Sequence, residues 1–270
     1  MTLNKPVVVD DCIRGVYYAA DSTTSRVVAC TAGQFDWATV DGVQLASPTT
    51  ATVMSEGLHN VVLHIKSATS LRLGSMFRTL PYTSLDLSTA GLSNRALNMG
   101  NAMDSMTYLK SLNLGPYDFG TCANLYEAFY ADSALVIDDT SGFNLTNATV
   151  LTRAFRGVAS TKWNCAKWNC SKVTNAKGLF YQALASTDVV DMEAWQCPSL
   201  TNLDEAFRNN SNAFVVRMPR ALDPSKCSFQ YAFLVAGVAN VYVPSAQLDA
   251  YKTAMANANI TLSKIVAYTD

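Results

Sequence analysis

A large apolar residue, usually Phe, recurs about every 26 residues through most of this 270-residue chain. We call these seven positions the anchors, and the intervals between them are 26, 26, 26, 25, 27 and 26 residues. The anchors are Phe77, Met103, Phe129, Phe155, Phe180, Phe207 and Phe233. A period of roughly 20 to 50 residues is typical of solenoids, in which stacked units bury a core that no unit buries alone.

Two further apolar columns accompany the anchors. The residues four positions before them are Leu73, Met99, Leu125, Leu151, Ala176, Leu203 and Phe229. The residues one position before them are Met76, Ala102, Ala128, Ala154, Leu179, Ala206 and Ala232. A helix places residues three and four apart on one face. The spacing therefore predicts a short helix in each unit, with Leu, Ala and Phe facing inward.

A second apolar signal begins eight to ten residues after the anchors and has a period of two, which predicts a short strand. Its members are Leu85/Leu87, Leu112/Leu114, Val190/Met192, Val216/Met218 and Val241/Val243. One strand and one helix in about 26 residues are typical of a leucine-rich repeat. We therefore predict an α/β solenoid, a leucine-rich repeat array of about seven 26-residue units, over residues 69–243.

The two flanks lack the repeat. Residues 1–68 read as a small β domain that caps the first unit or attaches the array to something else. Its predicted strands are Val7–Asp10, Gly15–Ala20, Arg26–Cys30, Phe35–Val40 and Val61–Ile65, with a hairpin turn at Asp41–Gly42. Residues 244–270 read as a C-terminal cap, with a Ser-capped helix that carries Leu248 and Tyr251 on one face and a last strand from Lys264 to Tyr268.

Polar and aromatic side chains also recur. Asn98, Asn124, Asn175 and Asn202 stand five residues before an anchor, where an Asn side chain accepts hydrogen bonds from free amides at a helix start. Trp168 and Trp195 hold corresponding positions, with Phe119 and Phe143 as substitutes. We expect these four rings to fill the core at the outer corner of the turn.

The composition narrows the class of partner. Only 15% of residues are charged, and the formal net charge is −1, so we expect neither nucleic-acid binding nor an anionic-membrane partner. No apolar run reaches the 18 or so residues of a membrane span, and the amino terminus does not resemble a signal peptide. We expect the seven cysteines to be mostly reduced, although Cys12 and Cys30 are a possible bridge.

We find no pattern that predicts catalysis. His59 and His64 lie in one predicted strand region without carboxylates or thiols in a metal-binding spacing, and Cys165 and Cys170 are too far apart for a zinc knuckle. The chain has no phosphate loop, dinucleotide fingerprint or nucleophile elbow. The sequence therefore predicts a protein that is not an enzyme and uses no catalytic residue, metal or cofactor.

The segment from Trp168 to Phe180, Trp-Asn-Cys-Ser-Lys-Val-Thr-Asn-Ala and onward to Phe, resembles the unit of the BspA-like leucine-rich repeats. Trp195–Phe207 repeats it, and Val241–Pro244 followed by Leu248, Tyr251 and Lys252 is similar to the closing segment of that family. The resemblance covers about residues 69–255. It implies adhesion and surface display in bacteria, with relatives encoded by bacteriophages and protists, and no catalytic motif.

Several functions follow as hypotheses. The first is a non-enzymatic adhesion or receptor-binding protein on a phage tail or capsid, assembled in the host cytoplasm, which recognises a host-surface glycan or protein. The alternatives are a structural virion component that packs against other virion proteins, and an adhesin on the bacterial cell surface. A homo-oligomer is possible, and membrane insertion is not expected.

The candidate ligand-binding residues come from the strands. In each strand the residue between the two apolar positions points away from the core. These residues form a row, which we call the strand row: Asp86, Asn113, Asp138, Asn164, Asp191, Arg217 and Tyr242.

Overall fold

The computed structural model describes residues 11–29, 34–66, 71–90, 96–114, 119, 121–137, 140, 142–158 and 163–268. Its strands are β1 (Cys12–Ala19), β2 (Thr23–Ser25), β3 (Phe35–Val40), β4 (Val43–Gln44), β5 (Thr52–Met54), β6 (Gly57–Ile65), β7 (Leu71–Arg72), β8 (Tyr82–Asp86), β9 (Ala96–Asn98), β10 (Ser111–Asn113), β11 (Val189–Asp191), β12 (Phe214–Arg217), β13 (Val238–Val243) and β14 (Ile265–Ala267). Among these residues the one α-helix is α1 (Leu248–Ala254), and short 3-10 turns cover Pro224–Lys226, Ser245–Gln247 and Leu262–Lys264.

The repeats form a β-solenoid of seven coils, each with one anchor. Strands one coil apart pair in parallel, β8 with β10 and β11 through β14 in order. A second parallel ladder, one residue wide, joins Asn98, Asn124, Val150, Asn175, Asn202 and Ser228. The chain therefore returns to the same place after each repeat, and the predicted solenoid is confirmed.

The segments around the anchors are not helices, so that part of the prediction is wrong. Their amides alternate between two kinds of partner. The Phe207 amide donates to the Ala232 carbonyl in the next coil at 2.9 Å, whereas the Ala206 amide bonds within its own coil to Leu203 at 3.1 Å. The unit is therefore a run of tight turns joined to neighbouring coils, which differs from the strand-plus-helix unit of a leucine-rich repeat.

Backbone conformation explains why the sequence looked helical. A residue with positive φ stands two positions before and two positions after every anchor, which an α-helix excludes. These residues are Ser75, Asn101, Glu127, Arg153, Gly178, Glu205 and Tyr231 before the anchors, and Thr79, Ser105, Ala131, Gly157, Gln182, Asn209 and Val235 after them. A turn repeated every four residues brings residues three and four apart to the same side, as a helix does.

Two columns of aromatic rings fill the core. All seven anchors are at most 1% exposed, and several stack on one another, with ring centroids 5.5 Å apart for Phe129 and Phe155 and 5.1 Å apart for Phe207 and Phe233. The second column is the predicted set of corner rings, which pack from Phe119 through Phe143 and Trp168 to Trp195 at 5.3–5.8 Å. Both predictions about the core are confirmed.

The Asn column also acts as predicted, although at turns and not at helices. The Oδ1 atoms of Asn98, Asn124, Asn175 and Asn202 each accept the amide two residues later at 2.8–3.0 Å. Each side chain thus satisfies a backbone amide that has no partner in the parallel ladder between coils.

The amino-terminal strands are continuous with the solenoid. Sheet order is β10-β8-β1-β6-β3-β4, and β1 pairs antiparallel with β8 across the boundary predicted near residue 68. Gly15 permits this close approach, because a Cβ there would lie 2.7 Å from the Tyr82 ring. The domain boundaries themselves stay a prediction.

Most of the predicted amino-terminal strands are present. The strands near Gly15–Ala20, Phe35–Val40 and Val61–Ile65 appear as β1, β3 and β6, and Asp41 and Gly42 turn with positive φ between β3 and β4. The prediction for Arg26–Cys30 is wrong over its described part, since the short strand there ends at Ser25. Val7–Asp10 lies outside the described residues.

The carboxyl-terminal residues cover the last coil. Asn257 and Ala258 accept amides from Tyr231 and Phe233 at 2.9 and 2.8 Å, and Tyr251 of α1 is fully buried. The predicted helix and last strand are present as α1 and β14, but the predicted Ser cap is wrong, because the residue before α1 is Gln247 and its side chain makes no capping hydrogen bond.

The described thiols inside the solenoid are buried and unbridged, at Cys122, Cys165, Cys170, Cys197 and Cys227. Burial raises the pKa of Cys197 to about 12, so this thiol stays protonated at neutral pH. Cys30 lies outside the described residues, so a bridge from it to Cys12 stays a prediction.

Candidate functional site

The strand row forms two groups on the outward face of the sheets. Asp86 pairs with Asn113 across β8 and β10. Asp191, Arg217 and Tyr242 are aligned across β11, β12 and β13. Asn164 is exposed, and Asp138 lies outside the described residues. The structure therefore brings together five of the seven predicted residues, in a group of two and a group of three.

The first group continues into the amino-terminal strands, which sequence reasoning missed. Asp86 is aligned with Arg14 of β1, Arg14 with Val62 of β6, and Val62 with Thr39 of β3. A groove of about 430 Å³ crosses this face. Arg14, Asn60, Val62, Ser84, Asp86 and Asn113 are among the residues that line it.

Asp86 is the one carboxylate of this groove lining, and it is held in place. Its Oδ1 accepts the Ser88 amide at 2.8 Å and the Ser88 hydroxyl at 2.6 Å. Burial is the largest single effect on its pKa and raises it. Hydrogen bonds from Ser88 and Asn113, together with the charge of Arg14, outweigh burial and lower the pKa below its ordinary value. Asp86 is therefore an ionised acceptor at neutral pH.

The second group contains an ion-pair cluster that the sequence did not reveal. Glu193 contacts Arg217 at 2.9 Å and Arg220 at 2.6 Å. The Arg220 guanidinium lies 4.8 Å from the ring centre of Tyr268, and that of Arg217 lies 5.9 Å from that of Tyr242. The hydrogen bond from Arg220 has the largest effect on the Glu193 pKa and lowers it. Burial raises this pKa, the hydrogen bond from Arg217 lowers it again, and the net result is a pKa below the ordinary value. With Asp191, which is aligned with Arg217, this end of the strand face carries two acidic and two basic side chains.

The chemistry available at the strand face is binding by fixed donors and acceptors. The pKa values of Asp86 and Glu193 are lowered, away from the range in which a carboxylate acts as a general base near neutral pH. Among the described residues, no group of three His, Cys, Asp or Glu side chains is arranged to hold a metal ion.

The two histidines make contacts in the amino-terminal sheet. His59 Nδ1 lies 2.7 Å from Asp41 Oδ2, and this hydrogen bond raises the His59 pKa. His64 stacks on Trp37, with ring centres 4.9 Å apart, and lies 3.4 Å from Asp36. His59 is thus hydrogen-bonded and His64 is packed against Trp37.

The turn face of the solenoid carries a different pattern. The Arg156 guanidinium lies 4.8 and 4.2 Å from the ring centres of Tyr130 and Tyr181, and that of Arg208 lies 5.5 Å from the ring centre of Tyr181. These residues come from successive coils. These contacts, which we call the Arg–Tyr ladder, therefore join adjacent coils.

Comparison with known proteins gives one match. A family model described as "Mycoplasma protein of unknown function, DUF285" matches residues 97–217, a little under half of the chain. Neither the curated proteins nor the solved structures contain a match. Within the described part of the chain, no helix has the length and hydrophobicity needed to cross a membrane.

Proposed function

We propose that this protein is a non-enzymatic adhesion or receptor-binding protein of a virion, and that the strand face binds a host-surface glycan or protein. The observation that carries the proposal is the alignment of Asp191, Arg217 and Tyr242 on adjacent paired strands. Side chains in register across a rigid sheet give a binding surface with little ordering cost. Asp86 and Asn113 are aligned in the same way on β8 and β10, near the amino-terminal end of the solenoid.

The family relationship that we propose is with BspA-like repeat surface proteins. The repeat of the Trp-to-Phe segment and the match over residues 97–217 support it. The turns in place of helices set this chain apart from the leucine-rich repeat unit that the resemblance implied.

Assembly in a reducing compartment favours a virion over a secreted bacterial adhesin. Cys165 and Cys170 are buried and unbridged, which is compatible with assembly in a reducing cytoplasm. A protein released by lysis reaches the cell surface without needing disulfides. An adhesin on the bacterial surface stays an alternative. The identity of the neighbouring genes would distinguish it from a virion protein.

The test is binding of the purified chain to a panel of bacterial cells and to a printed array of cell-surface glycans. We expect the variant with Asp191, Arg217 and Tyr242 all replaced by Ala to bind at least about tenfold more weakly, since each of the three side chains would contribute about 1 kcal/mol or more through its hydrogen bonds to the ligand. Arg208→Ala, on the turn face, is the matched control and should bind normally. Unchanged binding by the folded triple variant would remove this group from the site.

A second function is favoured by one observation. Val43, Val53 and Leu58 of the amino-terminal strands are 70%, 76% and 63% exposed, which suits packing against another virion protein. A purely structural component would associate with phage tail or capsid proteins and bind no cells. Replacing the three residues by Ser would then abolish that association, whereas the receptor-binding proposal predicts that cell binding by these variants is unchanged.

A further inference from the structure

We propose that the groove across β1, β6, β8 and β10 is a subsite for an uncharged saccharide with adjacent hydroxyl groups, in which Asp86 is the central acceptor. This inference rests on the proposed function and narrows it to one ligand class and one place on the strand face.

The groove combines two partly exposed valines with polar side chains at defined positions. Val16 and Val62 line it beside Arg14, Asp86 and Asn113. The polar residues are neighbours through strand pairing, Arg14 with Asp86 and Asp86 with Asn113. Convergent polar side chains in a concave site fix the orientation of a bound small molecule. The volume of about 430 Å³ also lies within the range of roughly 300 to 1,000 Å³ that such sites occupy.

The charges select the ligand class. Arg14 and Asp86 are the two charged residues that line the groove, so its net formal charge is zero. An anionic ligand would be attracted by Arg14 but repelled by Asp86, and a cationic ligand the reverse, so neither gains a net electrostatic attraction. An uncharged ligand meets neither repulsion.

The donor and acceptor types fit hydroxyl groups. A sugar hydroxyl both donates and accepts, so it can join a network of mixed character. The ionised Asp86 has about four acceptor sites, of which Ser88 and Asn113 use part, the Arg14 guanidinium has donors in a planar fork, and the Asn113 amide has both a donor and an acceptor. Planar groups of this kind suit two adjacent hydroxyls, because two parallel hydrogen bonds form at once.

The groove is also held in shape before any ligand arrives. Thr89 Oγ1 donates to the Cys12 carbonyl at 2.9 Å and accepts from Arg14 Nη1 at 3.4 Å, which ties β1 to the residues after β8. The Ser88 amide and hydroxyl fix Asp86. Because these side chains need little rearrangement on binding, the ordering cost is small.

The experiment is a titration of the full chain with oligosaccharides that end in galactose, glucose, mannose or N-acetylglucosamine, beside sialylated forms of the same glycans. Two variants address the groove. Asp86→Ala removes the acceptor, and Ser111→Trp fills the groove from an exposed position while Asp86 is kept. Asp188→Ala, an exposed residue outside the groove, is the control.

We expect the wild type and Asp188→Ala to bind at least one uncharged saccharide, and its sialylated form more weakly. Affinity should fall at least tenfold in both groove variants, each checked for folding by its thermal midpoint. If cells are bound but no uncharged saccharide is, or if both folded groove variants bind the saccharide normally, the subsite is refuted and the adhesion proposal stands. If the chain binds neither cells nor any glycan, both proposals fail.

Discussion

Asp132→Asn should stabilise the protein, and the gain should grow with pH. Asp132 lies three residues after the Phe129 anchor and is fully buried. Its Oδ1 accepts the Met106 amide at 2.8 Å, whereas Oδ2 has no hydrogen-bond partner among the described residues. A buried carboxylate in this position is costly, because it has been moved out of water with only one compensating bond.

The corresponding position three coils later shows what an amide does there. Asn210 Oδ1 accepts the amides of Ala183 and Leu184, both at 2.9 Å. Its Nδ2 donates to the carbonyls of Phe180 and Phe207 at 2.8 and 2.9 Å. An amide thus satisfies both of its ends at this turn, and Asn at position 132 is nearly the same size as Asp.

The magnitude follows from the shifted pKa. Burial, only partly offset by the bond from Met106, raises the pKa of Asp132 from 3.8 to about 9. The folded state therefore holds a proton that the unfolded state releases above pH 3.8. Stability falls by about 1.4 kcal/mol per pH unit from there until Asp132 ionises near pH 9. Between the ordinary pKa and neutral pH the loss is on the order of 4 kcal/mol, and an amide avoids it.

Urea unfolding at pH 5, 7 and 9 tests this reasoning. The Asp132→Asn variant should exceed the wild type by a few kcal/mol at pH 7, by less at pH 5 and by more at pH 9. Asp188→Asn, on the surface, is the matched control and should show no such trend. A variant that is less stable than the wild type, or a difference that does not change with pH, would refute the argument.

Three further changes probe the solenoid by thermal and urea unfolding. Phe155→Ala should cost about 3–5 kcal/mol, because it leaves a cavity in the aromatic column, whereas Val43→Ala, at an exposed site, should cost under about 0.5 kcal/mol. Gly237→Ala should be more damaging than Gly42→Ala, because its Cβ would overlap the Asn212 carbonyl oxygen, whereas Gly42 has open space around it and Ala there meets only the strain of a positive φ; equal losses would contradict this. Arg156→Ala should lower the free energy of unfolding by about 1–2 kcal/mol, because the guanidinium contacts two tyrosine rings. An unchanged free energy would mean that the Arg–Tyr ladder contributes nothing to stability.

The sequence predicted the solenoid because its strongest signal is one of spacing. Buried residues must recur with the coil, so the anchors were visible from Phe77 to Phe233 without any knowledge of backbone geometry. The helices were wrong because a run of turns repeated every four residues has the same inward pattern. Gly157 and Gly178 were the available hint, since they occupy positive-φ positions that a helix lacks.

The candidate site was predictable only where it follows the repeat. Parallel strands one coil apart stay in register, so Asp191, Arg217 and Tyr242 could be aligned from their spacing alone. Arg14 could not, because it comes from an antiparallel strand outside the repeat whose partner is set by tertiary structure. Glu193 was missed because it follows the strand, where spacing gives no direction for a side chain.

The most direct test of the fold is NMR detection of scalar coupling across the hydrogen bond of the Phe207 amide. We expect coupling to the carbonyl of Ala232, 25 residues ahead in the next coil, at a donor–acceptor distance of 2.9 Å. Coupling to the carbonyl of Leu203, four residues earlier, would show an α-helix and contradict the stacked turns on which the strand face depends.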